Sequence, residues 1–280
     1  MSDEWTRDAF ASRIKDAGKR QRFEAGSPNE TEIAAYALDL PAAFSMETAV
    51  VLGMTPELRH LAGNRFHRVI CIDSSAMAIN LYKDWVPREH REREEIHQSH
   101  WQDLLSLLDG PVAAILGDGV FGNMLTLDEH LAMLESIKLA LAPYGRFITR
   151  KAMIPAGFLP DENDRSNLAT QFREGVLDES EFAFGMRLLG HFKCCYDSKT
   201  YLLDNRKLFS ECEQDLREGK LTEQEHALVR RYYFEGKNCI VPQEVWDRLL
   251  AEAGFEFRVH TCHGKAWYQY YKVYSCGVAT

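Results

Sequence analysis

Gly53 and Asp73 each stand directly after an apolar, β-type run, and their types and spacing could bind a small molecule. Thr55 and Pro56 beside the glycine predict an abrupt helix start, because threonine can cap a first turn and proline needs no N–H there. A strand that turns through glycine into a helix presents free backbone N–H groups at the strand's carboxyl end. A carboxylate about 20 residues further on can accept hydrogen bonds from ribose hydroxyls. The pair therefore predicts a site for a nucleoside-containing cofactor.

The number of glycines in this turn narrows the choice of cofactor. A dinucleotide fingerprint has three glycines, which let the backbone approach a pyrophosphate, whereas Met54, Thr55 and Pro56 follow Gly53 here. A nucleoside without a pyrophosphate fits this turn better than NAD does, and S-adenosylmethionine is the obvious candidate. The alternative is an ordinary strand-to-helix turn that binds no ligand.

The elements that position these residues alternate between strand and helix. Strands are predicted at 49–53, 68–72, 95–98, 111–116 and 146–149, and helices between them at 55–62, 75–86, 102–108 and 127–142. Thr126 and Thr222 each precede a glutamate by three residues, which is the capping-box pattern of a helix start. Strands that alternate with helices of this length predict a doubly wound, mostly parallel α/β sheet with right-handed crossovers.

The regions outside this alternation complete the predicted fold. Two N-terminal helices are predicted at 3–23 and 30–40, and residues 151–240 predict helices and loops with no convincing strand. The α/β pattern then resumes with a helix at 242–253 and strands at 255–262 and 267–275, joined as a hairpin by 263–266. The expected fold is a seven-stranded Rossmann-like sheet with an antiparallel C-terminal hairpin and a helical insertion after strand five.

This order of elements divides the chain into three parts. Residues 1–40 are N-terminal helices that could form part of a cap, and 41–151 with 241–280 form the cofactor-binding domain. Residues 152–240 are a mainly helical insertion. Because parallel strands present their carboxyl ends at one edge of a sheet, an insertion that follows strand five is expected to cover the substrate.

Composition bounds the class of protein. The chain has 280 residues, a hydrophobic content of 45% and a formal net charge of −9, which argues against a nucleic-acid substrate. No apolar run approaches the length of a membrane span, and no secretory signal is evident at the N-terminus. Seven cysteines, an odd number, predict free thiols in a reducing cytoplasm. We expect a cytoplasmic monomer or homodimer that binds neither nucleic acid nor membrane.

Several stretches of the sequence resemble motifs of the class I S-adenosylmethionine-dependent methyltransferases over about 49–151 and 242–276. They are Val50-Val-Leu-Gly53, Ile72-Asp-Ser-Ser-Ala-Met77, Leu116-Gly-Asp-Gly119 and Leu141-Ala-Pro-Tyr-Gly-Arg-Phe-Ile148. The order and spacing of these motifs carry the resemblance, because none of them is specific alone. The resemblance implies S-adenosylmethionine as the cofactor, with the acid of the second motif holding the ribose.

The turn and the resemblance together imply contacts to the cofactor from the ends of the first four strands. These residues are Gly53, Thr55, Pro56, Asp73, Ser74, Met77, His100, Trp101, Gln102, Gly117, Asp118 and Phe121. The family often has an acidic residue before an aromatic one after strand three, where it contacts adenine. Here His100 precedes Trp101, so His100, Trp101 or Gln102 could line the adenine. The alternative is that Trp101 packs in the core.

Other residues are candidates for binding the molecule that accepts the methyl group or for catalysing the transfer. The candidate catalytic residues are Asp118, which lies between two glycines, and His191. The candidate substrate-binding residues are Asn123, Arg150, Tyr196 and Tyr232. Small neighbours let backbone and ligand come close to an aspartate. The alternatives are that Asp118 organises its own turn, that Arg150 pairs with acids of the insertion, and that the aromatic residues form the insertion's own core.

Methyl transfer requires that donor and acceptor be aligned and that water be excluded. We therefore expect transfer of a methyl group to an O or N atom, less readily S or C, of a small molecule. The alternatives are a cofactor-binding protein without turnover and another transferase that uses the same cofactor. His260 with His263, and Cys194 with Cys195, suggest a metal, but no second matching cluster accompanies them, so no metal is predicted.

Overall fold

Seven strands form the central sheet of the protein. The computed structural model describes residues 14–15, 19–20, 24–155, 157, 165–190, 192–232 and 234–279. In chain order the strands are β1 (Ser45–Leu52), β2 (Phe66–Asp73), β3 (Glu94–Gln98), β4 (Val112–Asp118), β5 (Leu141–Ala152), β6 (Phe255–His260) and β7 (Tyr271–Val278). Their spatial order is β6–β7–β5–β4–β1–β2–β3.

The directions of these strands confirm the predicted fold class. β1 to β5 pair in parallel, and β7 lies antiparallel between β5 and β6. The chain runs outward from β1 to β3 on one side and resumes with β4 on the other side of β1. The carboxyl ends of β1 and β4 therefore flank a topological switch point, which is where open α/β sheets bind ligands.

Helices cover both faces of this sheet and also form the insertion. In chain order they are α1 (Glu30–Ala37), α2 (Pro56–Arg65), α3 (Ala76–Tyr82), α4 (Arg88–Arg91), α5 (Leu127–Ala140), α6 (Arg165–Arg173), α7 (Glu179–Gly185), α8 (Phe192–Cys195), α9 (Asn205–Arg217), α10 (Glu223–Arg230) and α11 (Gln243–Glu252). Thr126 and Thr222 form the predicted capping boxes at the starts of α5 and α10. Short 3-10 helices occupy Trp101–Leu107, Val120–Asn123 and Ala266–Gln269.

Alternate residues of the central strands enter two different apolar clusters. Val50 and Ile70 belong to a cluster that includes residues of α5 and α11, whereas Val51 and Cys71 belong to one that includes residues of α1 and α2. Successive side chains of a strand point to opposite faces of its sheet, so both faces of this sheet are buried. This accounts for the nearly continuous apolar character of β1 and β2.

The insertion forms a third apolar cluster, which it shares with Ala25 and with Trp267 from the connection between β6 and β7. Phe182, Leu208 and Leu228, from α7, α9 and α10, are buried together. Contrary to the sequence prediction, this region also contains a small antiparallel sheet of Tyr196–Asp197, Leu202–Asp204 and Lys237–Cys239. The outer two of these strands have two and three residues, too few to show a strand pattern in the sequence.

Two further predictions about elements are wrong. Ile14–Lys15 pairs with Lys19–Arg20 as antiparallel strands, so no continuous helix spans these positions, and Gly18 between them disfavours a helix interior. Other residues of the predicted helix at 3–23 lie outside the described residues. At the C-terminal end, the predicted antiparallel pairing of β6 with β7 is confirmed, but residues 261–270 join the two strands instead of the predicted 263–266. Trp267 and Tyr268 of this longer connection are buried against the insertion.

In the parts of the chain that the structure describes, no helix has the length and apolar character that crossing a bilayer requires.

Candidate active site

A cavity of about 320 Å³ opens at the carboxyl edge of the sheet, between the ends of the strands and the insertion. One side of its lining comes from the ends of β1, β2 and β4 and from the loops that follow them. The other side comes from the insertion and β7. Ala25, Gly26 and Ser27, which precede α1, also line it. The volume is at the lower end of the roughly 300–1,000 Å³ range of small-molecule sites.

The turn after β1 has the glycine conformation and the helix start at Pro56 that its sequence predicts, but the Thr55 side chain does not cap the helix. Gly53 has a φ of +105°, in the region that favours glycine, and its N–H donates to the Ile72 carbonyl at 2.7 Å. Thr55 is the N-cap of α2 and makes no capping bond with its side chain, and Pro56 begins the helix. Gly53, Thr55 and Pro56 all line the cavity. The start of α2 therefore meets the cavity where backbone N–H groups can bind a polar ligand atom.

Asp73 lines the cavity at the end of β2, next to this turn. Its Oδ1 accepts a hydrogen bond from the Ser75 N–H at 2.8 Å. Burial raises the pKa of the Asp73 carboxyl to about 6, although hydrogen bonds from the Ser75 and Met54 backbone oppose this shift. A half-buried carboxylate that accepts hydrogen bonds beside a glycine turn is suited to a ribose diol, so the residues present fit a nucleoside cofactor.

This pKa predicts how pH affects the binding of S-adenosylhomocysteine, which is what remains when S-adenosylmethionine, the cofactor expected from the sequence, gives up its methyl group. The ionised carboxylate accepts hydrogen bonds from ribose more strongly than the acid does, so affinity is highest above pH 6. We expect the affinity to be nearly constant from pH 7 to 8. Below pH 6 the affinity should decrease, and the decrease should approach about tenfold for each pH unit. Calorimetric titrations from pH 5 to 8 measure this. A profile that is equally steep in the Asp73→Ala variant would assign the dependence to another group.

Aromatic rings line the cavity beyond Asp73. Tyr82, Trp101 and His100 all contribute to this wall. Trp101 donates from Nε1 to the Ile72 carbonyl at 2.8 Å, which fixes the plane of the indole beside the end of β2. Trp101 therefore both packs on the core and faces the cavity, so the two interpretations from the sequence are compatible.

Asp118 ends β4 and faces the cavity from within a buried ionic network. Arg150 of β5 donates to it from Nε at 2.8 Å and from Nη2 at 3.1 Å, and donates from Nη1 to both Glu32 oxygens at 2.9 Å. Burial alone would lower the pKa of the Arg150 guanidinium, but the negative charges of Asp118 and Glu32 hold it well above its usual value. The Tyr271 hydroxyl lies 3.3 Å from Asp118 Oδ1, and its ring centroid lies 4.0 Å from the guanidinium carbon. The orientation of Asp118 is thus fixed by its neighbours.

The insertion supplies the opposite wall. Phe184, Arg187, Leu188 and Tyr232 line the cavity from this side. The Tyr232 hydroxyl donates to the Glu24 carbonyl at 2.5 Å, which joins the insertion to the segment that precedes α1. This wall therefore combines apolar rings with one guanidinium group.

The structure brings together ten of the seventeen residues that the sequence singles out. Those that line the cavity are Gly53, Thr55, Pro56, Asp73, Ser74, His100, Trp101, Asp118, Asn123 and Tyr232. Their roles toward a cofactor or substrate remain predictions.

Other candidates lie away from the lining. Met77 is 40% exposed on α3, and Gln102 is exposed on the outer side of its 3-10 helix. Phe121 is fully buried, with its ring centroid 4.7 Å from that of Trp246. Tyr196 donates its hydroxyl to the Ile240 carbonyl at 2.8 Å.

Arg150, Gly117 and His191 also differ from expectation. Arg150 is buried behind Asp118 and holds two carboxylates, so it positions Asp118 rather than lining the cavity. In addition to Asp118 it pairs with Glu32 of α1, and within the described part of the insertion no acid pairs with it. Gly117 is buried, and its carbonyl accepts a hydrogen bond from the Tyr36 hydroxyl at 2.7 Å. His191 lies outside the described residues.

Sequence reasoning missed residues that reach the cavity from distant parts of the chain. They are Ala25, Gly26, Ser27, Arg187, Asn238 and Tyr271. None has a local motif that marks a site. Gly119 and Gly122 also line the cavity and were not predicted. The sequence could have indicated them, because they belong to the same loop as Asp118 and Asn123. Among the described residues, no three His, Cys, Asp or Glu side chains are grouped so that they could hold a metal ion.

Comparisons with solved structures identify the fold. No protein-family model matches the sequence, and a search of curated proteins also gives no match. The structure is similar to the CcbJ methyltransferase from Streptomyces caelestis, with a TM-score of 0.56 and 12% identity over 97% of this chain and 98% of that chain. It is also similar to an S-adenosylmethionine-dependent methyltransferase from Methanosarcina mazei, with a TM-score of 0.51 and 11% identity over 88% of this chain and 98% of that chain.

A third similar structure is described as that of a different enzyme. It is a protein of Rhodobacter sphaeroides that is described as a proposed zinc-dependent alcohol dehydrogenase. The TM-score is 0.54, and the identity is 12% over 98% of this chain and 97% of that chain. Similarity at sequence identities of 11–12% shows a shared fold. The chemistry has to be inferred from the residues of the site. The strand order and the similarity to the two methyltransferase structures together show that the chain has the Rossmann-like fold seen in class I methyltransferases.

Proposed function

We propose that this protein is an S-adenosylmethionine-dependent methyltransferase that acts on an O or N atom of a small molecule. The observation that carries this proposal is the composition of one cavity. The glycine turn after β1, Asp73 and Asp118 lie on the side formed by the strand ends, and the insertion lies opposite them. A cofactor and an acceptor could therefore meet in a single cavity at the switch point of the sheet.

Each part of the cofactor has residues suited to bind it. Asp73 would accept hydrogen bonds from the ribose hydroxyls, and Trp101, Tyr82 and His100 would contact the adenine. The backbone at Thr55 and the start of α2 would bind the polar end of the methionine portion. When bound, the cofactor supplies an electrophilic methyl group on a sulfonium.

The remaining residues would act on the acceptor. Asp118, held in place by Arg150 and Tyr271, would accept a hydrogen bond from the acceptor's O–H or N–H and turn its lone pair toward the methyl group. Asn123 and Tyr232 would contact the rest of the acceptor. The insertion would exclude water from the reacting atoms, which strengthens every polar interaction within the cavity.

We also propose a cytoplasmic location and a monomer or homodimer. The support for the location is the odd number of cysteines, which are free thiols in the structure. The formal net charge is −9. A net negative charge of this size disfavours nucleic acid as a partner.

The proposal is tested by two measurements on the purified protein. Calorimetry compares the binding of S-adenosylhomocysteine with that of NAD, and mass spectrometry follows formation of S-adenosylhomocysteine from S-adenosylmethionine in the presence of pooled small-molecule acceptors. We expect micromolar binding of S-adenosylhomocysteine and acceptor-dependent turnover. Binding of NAD without a response to S-adenosylhomocysteine would refute the proposal. Binding without turnover across broad acceptor pools would favour a cofactor-binding protein that lacks catalysis.

A further inference from the structure

The cavity is small for the two molecules that the proposed reaction brings together. Its volume of about 320 Å³ is near the lower limit for a site that binds one small molecule, and a cofactor and an acceptor must occupy it together. One part of its wall therefore has to move when both are bound. The part that moves is expected to be the one with the weakest attachment to the rest of the fold.

Most of the wall is fixed by the fold. The ends of β1, β2 and β4 belong to the central sheet, and the insertion is packed around its apolar cluster. Helix α1 is anchored to the sheet by two buried side chains. Both carboxylate oxygens of Glu32 accept hydrogen bonds from Arg150, and the Tyr36 hydroxyl donates to the Gly117 carbonyl. None of these parts can move without breaking buried contacts.

Residues 24–28, which we call the strap, form a further part of the wall. Ala25, Gly26 and Ser27 line the cavity, and the strap lies in neither a helix nor a strand. It leads directly into Asn29, the N-cap of α1. Ala25 has a φ of +62°, which is uncommon for a residue with a Cβ and raises the free energy of this conformation. The strap is therefore strained in the position in which it lines the cavity.

The first two residues of the strap attach it to the insertion. The Glu24 carboxylate pairs with the Lys265 ammonium at 2.8 Å, and the same ammonium donates to Asp178, the N-cap of α7, at 2.6 Å. The Tyr232 hydroxyl donates to the Glu24 carbonyl at 2.5 Å, and Ala25 is buried in the insertion's apolar cluster. The strap therefore crosses from α1, on the sheet side of the cavity, to the insertion.

The ion pairs of Lys265 are of a kind that can open and close again. Hydrogen bonds from Lys265 to Asp178 and Glu24 raise the pKa of its ammonium well above the usual value, so the positive charge persists at neutral pH. The side chains of Lys265, Glu24 and Asp178 are 26%, 47% and 45% exposed. Ion pairs that are this exposed to solvent are weak, and salt screens them further. Opening this attachment therefore requires less free energy than moving the sheet or the core of the insertion.

We propose that the strap is a gate of the cavity and that Lys265 is its latch. The strap moves away about Asn29 to admit ligands, and it closes against the insertion when Lys265 binds Glu24 again. The inference rests on the proposed function, because it takes this cavity to be the site of both ligands. It adds an opening step before and after methyl transfer, whereas the closed strap excludes water during the reaction.

Rates of ligand exchange test the gate without knowledge of the acceptor. Surface plasmon resonance measures the association and dissociation rate constants of S-adenosylhomocysteine on the wild type, Lys265→Met and Glu24→Gln. Because a gate limits both entry and exit, both rate constants should rise together by about three- to fivefold in each variant, and the dissociation constant should stay within about twofold of the wild type. An increase in sodium chloride from about 50 to about 500 mM should accelerate exchange in the wild type and have little effect on Lys265→Met.

Two matched variants control for the loss of a charge. Lys220→Met removes an exposed lysine that pairs with Glu218, and Glu30→Gln removes an exposed carboxylate in the first turn of α1. Both should exchange S-adenosylhomocysteine at the wild-type rates. Deuterium exchange of the unloaded proteins gives a readout that needs no ligand, and residues 24–29 should exchange faster in Lys265→Met than in Lys220→Met.

Several outcomes would overturn the inference. They are unchanged rate constants in both Lys265→Met and Glu24→Gln, an equal acceleration in Lys220→Met, or faster dissociation without faster association, which would make the strap a ligand contact and not a gate. Failure of the wild type to bind S-adenosylhomocysteine is a separate result, which refutes the proposed function. Deuterium exchange then decides on the strap, because equal exchange of residues 24–29 in Lys265→Met and Lys220→Met rejects the latch and faster exchange in Lys265→Met supports it.

Discussion

Replacement of Arg150 by methionine should lower the free energy of unfolding by about 3–5 kcal/mol. The side chains of Arg150 and Glu32 are fully buried and that of Asp118 is 8% exposed, so the substitution leaves two carboxylates facing each other without a cation. Methionine roughly preserves the apolar volume of the arginine stem, so loss of packing contributes little. Urea unfolding followed by circular dichroism measures the change.

Two further variants separate the charge effect from other causes. Arg146→Met removes an exposed arginine from the same strand and should change stability by less than about 0.5 kcal/mol. The double variant Glu32→Gln/Arg150→Met leaves a single buried carboxylate and should recover part of the loss. If the double variant is no more stable than Arg150→Met, repulsion between the carboxylates is not the cause.

Replacement of Asp73 by alanine should weaken the binding of S-adenosylhomocysteine by about 1.5–3 kcal/mol, or roughly 10- to 150-fold. The reason is the loss of the charged acceptor proposed for the ribose hydroxyls. Asp73 is the last residue of β2, and its backbone pairs with β3 independently of its side chain, so the fold should persist. Calorimetry at pH 7.5 gives the affinity, and circular dichroism verifies folding.

A surface aspartate provides the control for this measurement. Asp109 has an 84% exposed side chain and pairs with Arg68, far from the lining of the cavity. Asp109→Ala should bind S-adenosylhomocysteine as tightly as the wild type does. An unchanged affinity in a folded Asp73→Ala variant would remove Asp73 from the site.

Residues whose role depends on a short stretch of chain could be predicted from the sequence. Gly53 and Asp73 each end an apolar strand, and neighbouring parallel strands must bring such ends to one edge of the sheet. The same reasoning placed Asp118 correctly at the end of β4. It failed for Phe121, which shares one 3-10 helix with Asn123. Phe121 enters the core and Asn123 lines the cavity, and only the packing of α11 against this turn decides between them.

Residues whose role depends on distant partners could not be predicted. Arg150 and Glu32 are 118 positions apart, and no pattern in either segment indicates that they meet. Arg187 likewise depends on Asn238, 51 positions later in the chain, and on a π-helical turn that has no sequence signature. The connection between β6 and β7 was predicted as a short hairpin because its length alone allowed one. The burial of Trp267 against the insertion, a tertiary effect, overrides that local preference.

The position of β7 between β5 and β6 has a consequence for how the chain reaches its folded state. The second neighbour of β5 in the sheet is β7 (Tyr271–Val278), which follows the whole insertion in the sequence. In this pairing Tyr271 lies opposite Ala152, and Cys276 lies opposite Phe147. During synthesis, β1 to β5 can assemble while the outer N–H and C=O groups of β5 still lack this partner. An open strand edge of this kind recruits other chains, and closing so long a loop is slow. We therefore expect the edge of β5 to be the place where a partly made chain pairs with other chains, and the pairing of β7 with β5 covers this edge.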